Sequence, residues 1–347
     1  MPDPGPLDPF VQALSTSPAL FPHSFDRNGV SFVRLSEADF ERASFLDDRI
    51  LGPGTARRPV PWRQVEAASS ALSEQCDFIF HIGHVGSTLL SRLLGAHKRI
   101  LSLREPQVLR TLAQIAAAPN QAGWSAEERA ARTTAILRLL SRRFRPEQTS
   151  LVKATSYTSE MAFDFLSRES APRAIFLSVS PVNFLAGILG AEHSPREAQM
   201  LAAARLARLE KRTGARWDAG AMTLGEIAAM GWACEMTALT RAAEAAGERV
   251  LWLAFDRFLE DPTEGLAQSF AHLGVEPGAG EIEAILAGPD LRRYSKAPEY
   301  AYDANLRAAV LRQGHDIAGG EIAKGLEWLE QAGTEVPAIR TALERYS

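Results

Sequence analysis

The glycine loop (residues 83–88), Gly83-His-Val-Gly-Ser-Thr88, combines two glycines with two hydroxyl side chains. An apolar run precedes it and an amphipathic one follows, so it is predicted to join a strand to a helix. Glycines let the backbone approach a ligand closely, and the hydroxyls of Ser87 and Thr88 would lie in the first helical turn, whose free amides attract anions. A tight turn capped by Ser87 would use the same residue types. The strand before and the helix after favour phosphate binding.

The order of the loop residues restricts the phosphate that it can hold. Loops for ATP and GTP carry a Lys directly before their Ser or Thr, whereas here Ser87 directly follows Gly86. The loop therefore lacks the signature of a nucleoside triphosphatase.

Charged residues close two other apolar runs. The stretch Leu103-Arg-Glu-Pro-Gln107 places Arg104 and Glu105 after one run, and Lys153 ends another. If the first of these strands neighbours the strand before the glycine loop, Arg104 and Glu105 lie beside that loop. A carboxylate there can serve as a general base, and a lysine can neutralise an oxyanion. Glu105 is equally suited to the start of a helix, and Lys153 to a solvent-facing strand end.

Strands and helices alternate from residue 76 onwards, which is typical of a parallel sheet with crossover helices. The predicted strands are 76–82, 99–103, 149–153, 173–179 and 249–254. The predicted helices are 87–97, 106–117, 125–143, 158–168, 195–212 and 223–246. The strands are short and apolar, as strands buried on both faces should be. We therefore predict an α/β fold of three layers, a parallel sheet with flanking helices.

The rest of the chain is divided around this core. Residues 1–75 mix prolines with short helical pieces, one of them capped by Ser36, and are predicted to be an extension packed on an α/β domain of residues 76–347. Residues 190–247 form a helical insertion that could cover a substrate. After Gly274 we predict short helices separated by Gly and Pro, with a basic, aromatic stretch at 291–300.

Composition excludes several classes of protein. The net charge of −4 does not suit a general nucleic-acid binder. The two cysteines, Cys76 and Cys234, support neither a disulfide framework nor a metal site, and no pair of histidines has zinc-ligand spacing. No stretch has the pattern of a signal peptide or the length of a membrane span, so a cytoplasmic location is expected.

Two segments resemble the sulfotransferase family. The glycine loop is similar to the family's 5′-phosphosulfate loop, with His84 in place of a Lys, Gly86 as its Gly, and Ser87-Thr88 as its hydroxyl pair. The segment from Val250 to Val275, with Asp261-Pro262 and a helix ending in His272-Leu-Gly274, resembles the family's strand, Asp-Pro turn and helix. The resemblance covers about two hundred residues and implies a P-loop-like sulfotransferase architecture.

The resemblance implies transfer of a sulfuryl group from 3′-phosphoadenosine-5′-phosphosulfate to a hydroxyl or amine of a small molecule or glycan, without a metal. Glu105 would be the base, with His84 and Lys153 assisting. The donor would be held by Gly83, His84, Val85, Gly86, Ser87 and Thr88. Val179 and Gly187 stand where the family has the Arg and Ser that hold the 3′-phosphate. That role would pass to Ser178, Ser180 and a basic residue such as Arg292, Arg293 or Lys296.

Two other functions fit parts of the pattern. A kinase-like enzyme using ATP and magnesium would need a carboxylate near Thr88, and Asp256 is the candidate. A scaffold protein could have kept the fold and lost the donor site. Among the other residues, His81 is expected to be a core histidine, Arg92 a surface charge, and the aromatic residues possible walls of an acceptor site: Trp217, Trp232, Tyr294, Tyr300 and Tyr302.

Overall fold

The computed structural model describes residues 8–118, 123–292 and 304–346. The strands are β1 (Leu20–Phe25), β2 (Gly29–Arg34), β3 (Arg58–Pro61), β4 (Cys76–His81), β5 (Ile100–Arg104), β6 (Thr149–Lys153), β7 (Ala174–Ser178) and β8 (Val250–Ala254). The α-helices are α1 (Pro9–Ala13), α2 (Glu37–Arg42), α3 (Trp62–Ser69), α4 (Ser87–Gly95), α5 (Gln107–Ala117), α6 (Ala126–Leu140), α7 (Ala162–Leu166), α8 (Pro181–Leu189), α9 (Ser194–Thr213), α10 (Leu224–Ala246), α11 (Phe255–Glu260), α12 (Pro262–Leu273), α13 (Glu281–Ala287), α14 (Ala304–Glu335) and α15 (Pro337–Leu343). Short 3-10 helices cover Asp48–Ile50, Ser156–Met161, Gly247–Arg249, Asp290–Arg292 and Glu344–Tyr346.

A parallel sheet of five strands lies at the centre, in the order β5-β6-β4-β7-β8. In the register of β4, Phe78 lies opposite Val152 on one side and Ala174 on the other. Every residue of β5 and β7 is buried. Since successive side chains point to opposite faces, both faces of the sheet are covered. The predicted three-layer α/β fold is confirmed, and the strand bounds match the prediction to within one residue.

The carboxyl end of β4 is the point where the chain changes direction across the sheet. The chain runs from β4 to β5, two positions away, and later crosses from β6 over β4 to β7. Ligands of open α/β sheets bind at such a switch point. The predicted position of Arg104 and Glu105 assumed that β5, which leads to these two residues, lies next to β4. This assumption is wrong, because β6 lies between the two strands, and Glu105 is therefore one strand further from the switch point.

An antiparallel sheet, β1-β2-β3, precedes the core and was not predicted. Its first turn is a hairpin in which Asp26 Oδ1 accepts hydrogen bonds from the N–H groups of Asn28 (2.7 Å) and Gly29 (3.1 Å). An Asn-Gly pair is a strong hairpin signal, but prolines within β1 and β3 obscured the strands. The predicted cap at Ser36 is present, in a capping box with Asp39.

Two buried arginines attach this N-terminal segment to the core. The Arg142 guanidinium donates to three main-chain carbonyls between residues 14 and 20, at 2.7 to 2.9 Å. Arg104 donates to three carbonyls of residues 40–43. Arg104 is therefore committed to the packing of this segment and does not lie beside the glycine loop as expected.

The C-terminal part is built on a long helix, where short helices were predicted. α14 spans 32 residues with a kink at Ala318. A Cβ at Gly314 of this helix would lie 2.3 Å from the carbonyl oxygen of Ala186, and one at Gly190 would lie 2.4 Å from the Gly314 Cα. The glycines that suggested a break allow α14 to approach α8 at backbone distance. Within the described ranges, none of the helices has both the length and the apolar character needed to cross a bilayer.

Candidate functional site

His81, the last residue of β4, shapes the start of the glycine loop. Its Nδ1 accepts a hydrogen bond from the Gly83 N–H at 3.0 Å, and its Nε2 lies 3.0 Å from the Ala154 carbonyl oxygen. Because Nδ1 accepts and a carbonyl can only accept, this geometry assigns the proton to Nε2 and a neutral ring. The expectation of a core histidine with satisfied hydrogen bonds is confirmed.

The glycine loop has a left-handed backbone at three positions. The φ angles are 92° at Gly83, 55° at His84 and 64° at Gly86. A Cβ at Gly86 would lie 1.9 Å from Cε2 of Phe255, a distance that no side chain can tolerate. Both the backbone angle and the close approach of the Phe255 ring therefore require glycine at this position.

The first turn of α4 presents unpaired donors. Gly86 is its N-terminal cap residue and makes no side-chain capping bond. Ser87 is 4% exposed and Thr88 1% exposed, and the Thr88 Oγ1 has no hydrogen-bond partner among the described residues. A buried hydroxyl without a protein partner is unfavourable, so the Thr88 hydroxyl is available to bond a ligand. Together with the free amides of the helix, Thr88 fits an anion.

Two cavities flank the glycine loop. One, here called the apolar pocket, encloses about 300 Å³ between residues 84–89, Gly187 of α8, Phe255, and Leu306, Arg307, Val310 and Leu311 of α14. The other, here called the polar cleft, encloses about 510 Å³. Its lining includes Phe45, Asp47, Arg49, His81, His84, Glu105, Arg110, Tyr157, Glu197 and Arg205. His84 and Ser194 line both cavities, so the two meet beside the loop.

Glu105 and Lys153 meet at the carboxyl ends of β5 and β6. The Lys153 Nζ forms an ion pair with the Glu105 Oε1; the Lys153 side chain is fully buried, and that of Glu105 is 14% exposed and lines the polar cleft. Glu105 has a φ of 51°, and its N–H donates to the Lys153 carbonyl at 2.7 Å. The cap of α5 is Pro106, so Glu105 is not a helix cap, and Lys153 does not face solvent. A strained backbone of this kind is concentrated at functional sites.

A second ion pair forms another part of the cleft wall. The Arg49 Nε donates to Asp47 Oδ1 at 2.8 Å. Burial alone would raise the pKa of Asp47, but the hydrogen bonds from Arg49 outweigh it and leave the pKa lowered. The pKa of Arg49 is raised by its bond to Asp47 and, to a lesser extent, by the charge of Glu105. Both groups are therefore charged at neutral pH.

A buried cluster supports the far wall of the cleft. Glu235 is fully buried and accepts from Arg208 (2.7 Å), from Arg205 (3.2 Å) and from Ser159. Arg208 also donates to the Tyr157 carbonyl at 3.1 Å. Burial opposes ionisation of Glu235, but the two guanidiniums outweigh it and lower its pKa. The insertion helices α9 and α10 thus fix Arg205 and Tyr157 in the polar cleft.

Several residues expected at the site are used elsewhere. The Ser178 hydroxyl is hydrogen-bonded to the Tyr346 hydroxyl, whose pKa burial raises to about 12. Ser180 caps α8 by accepting from the Asn183 N–H at 3.3 Å. Each of these two hydroxyl oxygens accepts a hydrogen bond within the fold, and their expected role at the 3′-phosphate of the donor stays a prediction. The side chain of Arg292 and all of Arg293 and Lys296 lie outside the described residues, as do Tyr294, Tyr300 and Tyr302.

Three other expectations concern residues near the site. Trp232 is fully buried, and its Nε1 donates to the Val179 carbonyl at 3.1 Å, so it belongs to the core rather than to an acceptor wall. Trp217 packs on Trp328. Arg92 was expected on the surface, but its side chain is 10% exposed and donates to Ser44 Oγ at 2.8 Å, because α4 packs against the N-terminal segment.

One charged residue of the apolar pocket was missed. Arg307 lies at the start of α14, far along the chain from the loop that it faces across the pocket. It pairs with Asp256, the carboxylate considered for a metal. No motif or spacing marks Arg307, since only the packing of α14 on α8 brings it here. Over the parts of the chain that are described, no three His, Cys, Asp or Glu side chains converge as a metal site would require.

Compared with protein-family models and with curated proteins, the chain has no significant match. Among solved structures it is similar to the sulfotransferase domain of the curacin biosynthetic pathway, with 15% identity, a TM-score of 0.43, and coverage of 72% of this chain and 98% of that one. The sulfotransferase domain of the Synechococcus PCC 7002 olefin synthase gives 14% identity, a TM-score of 0.39, and coverage of 70% and 94%. A sulfotransferase from Mycobacterium avium gives 12% identity, a TM-score of 0.38, and coverage of 71% of this chain and 77% of that one. At these values the likenesses assign neither a family nor an activity to this chain.

Proposed function

We propose that this protein is a sulfotransferase that moves a sulfuryl group from 3′-phosphoadenosine-5′-phosphosulfate to a hydroxyl or amine of a small molecule or glycan. The observation that carries the proposal is the junction of the two cavities at His84. The apolar pocket, with the glycine loop, suits the donor. The polar cleft, with Glu105, suits the acceptor. A group passing between them crosses the loop at His84.

The reaction is an in-line displacement at sulfur. Glu105 takes the proton from the acceptor hydroxyl or amine as the new bond to sulfur forms, and the bond from sulfur to the bridging phosphate oxygen breaks. The products are the sulfated acceptor and adenosine 3′,5′-bisphosphate, which leaves with the electrons of the broken bond. The Glu105 Oε1 faces Lys153, so Oε2 is the oxygen assigned to the proton.

The developing negative charge is met by fixed donors. Backbone amides of the first turn of α4, the Thr88 hydroxyl and the His84 ring surround the leaving phosphate and the sulfuryl oxygens. Lys153 balances the charge of Glu105 and orients it. No step in this scheme requires a metal ion.

Phosphoryl transfer from ATP and magnesium is less well supported. Asp256 was the carboxylate considered for holding a metal near Thr88. Its Oδ1 accepts from Arg307 at 2.7 Å and its Oδ2 from Asn183 at 2.8 Å. A carboxylate that already bonds two side chains is poorly suited to take a metal ion as well.

Thermal unfolding with and without ligands tests the proposal. We expect adenosine 3′,5′-bisphosphate to raise the melting temperature, because a ligand of the folded state at about 100 times its Kd contributes about 2.7 kcal/mol. ATP with magnesium should have a smaller effect. Stabilisation by ATP with magnesium but not by the bisphosphate would contradict the proposal. No change of melting temperature with either ligand would favour a scaffold protein. In Gly86→Trp the response to the bisphosphate should disappear.

Thr88→Val separates ligand binding from stability. Its Oγ1 has no partner in the described structure, so replacing the hydroxyl with a methyl group should leave the unliganded protein as stable or slightly more stable. We expect the affinity for adenosine 3′,5′-bisphosphate to fall about tenfold, the effect of losing one hydrogen bond to a charged group. Calorimetric titration and a thermal melt measure the two effects. A variant that loses stability but keeps its affinity would show that Thr88 is structural.

A further inference from the structure

Arg307 faces the glycine loop across the apolar pocket. The pocket is lined by Gly86, Ser87 and Thr88 on one side and by Arg307 on the other. The Arg307 side chain is 10% exposed, and its guanidinium carbon lies 4.8 Å from the centre of the Phe255 ring. The same ring packs against Gly86, so Phe255 separates the loop from the arginine at a fixed spacing.

The guanidinium is only partly satisfied. Its Nε donates to Asp256 Oδ1 at 2.7 Å, while its Nη2 is buried without a hydrogen-bond partner in the described structure. Thr88 Oγ1 is likewise buried without a hydrogen-bond partner in the described structure, and Thr88 lines the same pocket. Two buried donors without acceptors are therefore found around one cavity. Other buried side chains of the described structure also lack partners, but these two line the same cavity, and phosphate oxygens bound there would satisfy them.

Asp256 holds Arg307 in an orientation suited to a ligand. It bonds the guanidinium through Nε and is itself fixed by Asn183 Nδ2 at 2.8 Å. An arginine held through Nε keeps its terminal nitrogens for a second partner, and its planar fork matches the oxygens of a phosphate. The helix that carries Arg307 is fixed by the close approach of Gly314 to α8.

We propose that Arg307 recognises a second phosphate of the donor nucleotide, with Asp256 as its positioning residue. The inference rests on the proposed function. In the sulfotransferase family an Arg holds the 3′-phosphate, and Val179 stands at that position here, so Arg307 would supply the missing positive charge. This cation comes from a C-terminal helix and not from the end of β7. The apolar part of the wall, from Leu306, Val310 and Leu311, leaves a surface against which a base can pack.

Comparison of two nucleotides tests the assignment. Adenosine 3′,5′-bisphosphate carries the 3′-phosphate that Arg307 is proposed to bind, and adenosine 5′-monophosphate lacks it. We expect the wild-type protein to bind the bisphosphate about 10- to 100-fold more tightly, the effect of one hydrogen bond between charged groups. In Arg307→Met the ratio should fall to about one. Arg312→Met, an exposed arginine of the same helix, should keep the wild-type ratio.

The outcomes are distinguishable. A wild-type ratio near one, or a preference that survives in Arg307→Met, would overturn the role of Arg307 and leave the proposed function standing. Failure of the wild-type protein to bind either nucleotide would overturn both. Because Arg307→Met leaves Asp256 without its partner, the double variant Arg307→Met/Asp256→Asn should be measured as well. It should melt close to wild type and also show no preference.

Discussion

Glu105→Gln should lower kcat by about 100- to 10,000-fold, the range that general base catalysis contributes, while the affinity for adenosine 3′,5′-bisphosphate stays within about threefold. The amide keeps the size of the side chain but cannot take the acceptor's proton. Glu105 lines the polar cleft and not the apolar pocket, so donor binding should not depend on it. Initial rates with a panel of hydroxyl and amine acceptors, and titration with the bisphosphate, measure the two quantities.

The same substitution also affects stability. Lys153 is fully buried beside Glu105, and removal of one partner of a buried ion pair costs about 3–5 kcal/mol. Glu105→Gln/Lys153→Met removes both charges and should recover most of this loss without restoring turnover. If the double variant recovered activity together with stability, Glu105 would be structural. Loss of bisphosphate binding in Glu105→Gln would point to the same conclusion.

Gly86→Ala should abolish the response to adenosine 3′,5′-bisphosphate and destabilise the free protein by about 1–3 kcal/mol. The added Cβ would lie 1.9 Å from the Phe255 ring, and the φ of 64° disfavours any residue with a Cβ. Phe255 is 1% exposed and stacks on Phe258, so the ring cannot yield easily and the loop must move. Thermal melts with and without the bisphosphate measure both effects.

Gly54→Ala is the matched control for this change. Gly54 lies in an exposed turn, and a Cβ there would meet no atom of the described residues within 4 Å. The free energy of unfolding of Gly54→Ala should stay within about 0.5 kcal/mol of wild type, and the bisphosphate should raise its melting temperature as it does for wild type. A normal response in Gly86→Ala would contradict the placement of the donor at the glycine loop.

The parts of the fold that depend on local pattern were predictable. β7 is an apolar run that ends at Ser178, and the strand, loop and helix around Gly86 follow one another within a short stretch. Glu105 and Lys153 were predicted at the site because Glu105 follows one strand and Lys153 ends another, and parallel strands bring such ends to one edge of the sheet. Their direct ion pair could not be predicted, because it depends on β5 and β6 being neighbours.

The parts that depend on tertiary packing were not predictable. The helical character of α14 is hidden by Gly314, Gly319 and Gly320, and its contact with α8 is what makes the first of these favourable. Arg307 reaches the apolar pocket only through that contact. The hairpin of β1 and β2 had a readable Asn-Gly signal, but Pro22 in β1 weakened it.

The two cavities draw on opposite ends of the chain. The N-terminal segment lines the polar cleft with Phe45, Asp47 and Arg49. The helix α14 lines the apolar pocket with Leu306, Arg307, Val310 and Leu311, and the cavities share His84 and Ser194. Under the proposed function, we expect substitutions at Phe45 or Arg49 to change acceptor preference and to leave nucleotide affinity unchanged. If the two cavities hold acceptor and donor as proposed, the two specificities depend on separate segments of the chain and can change independently.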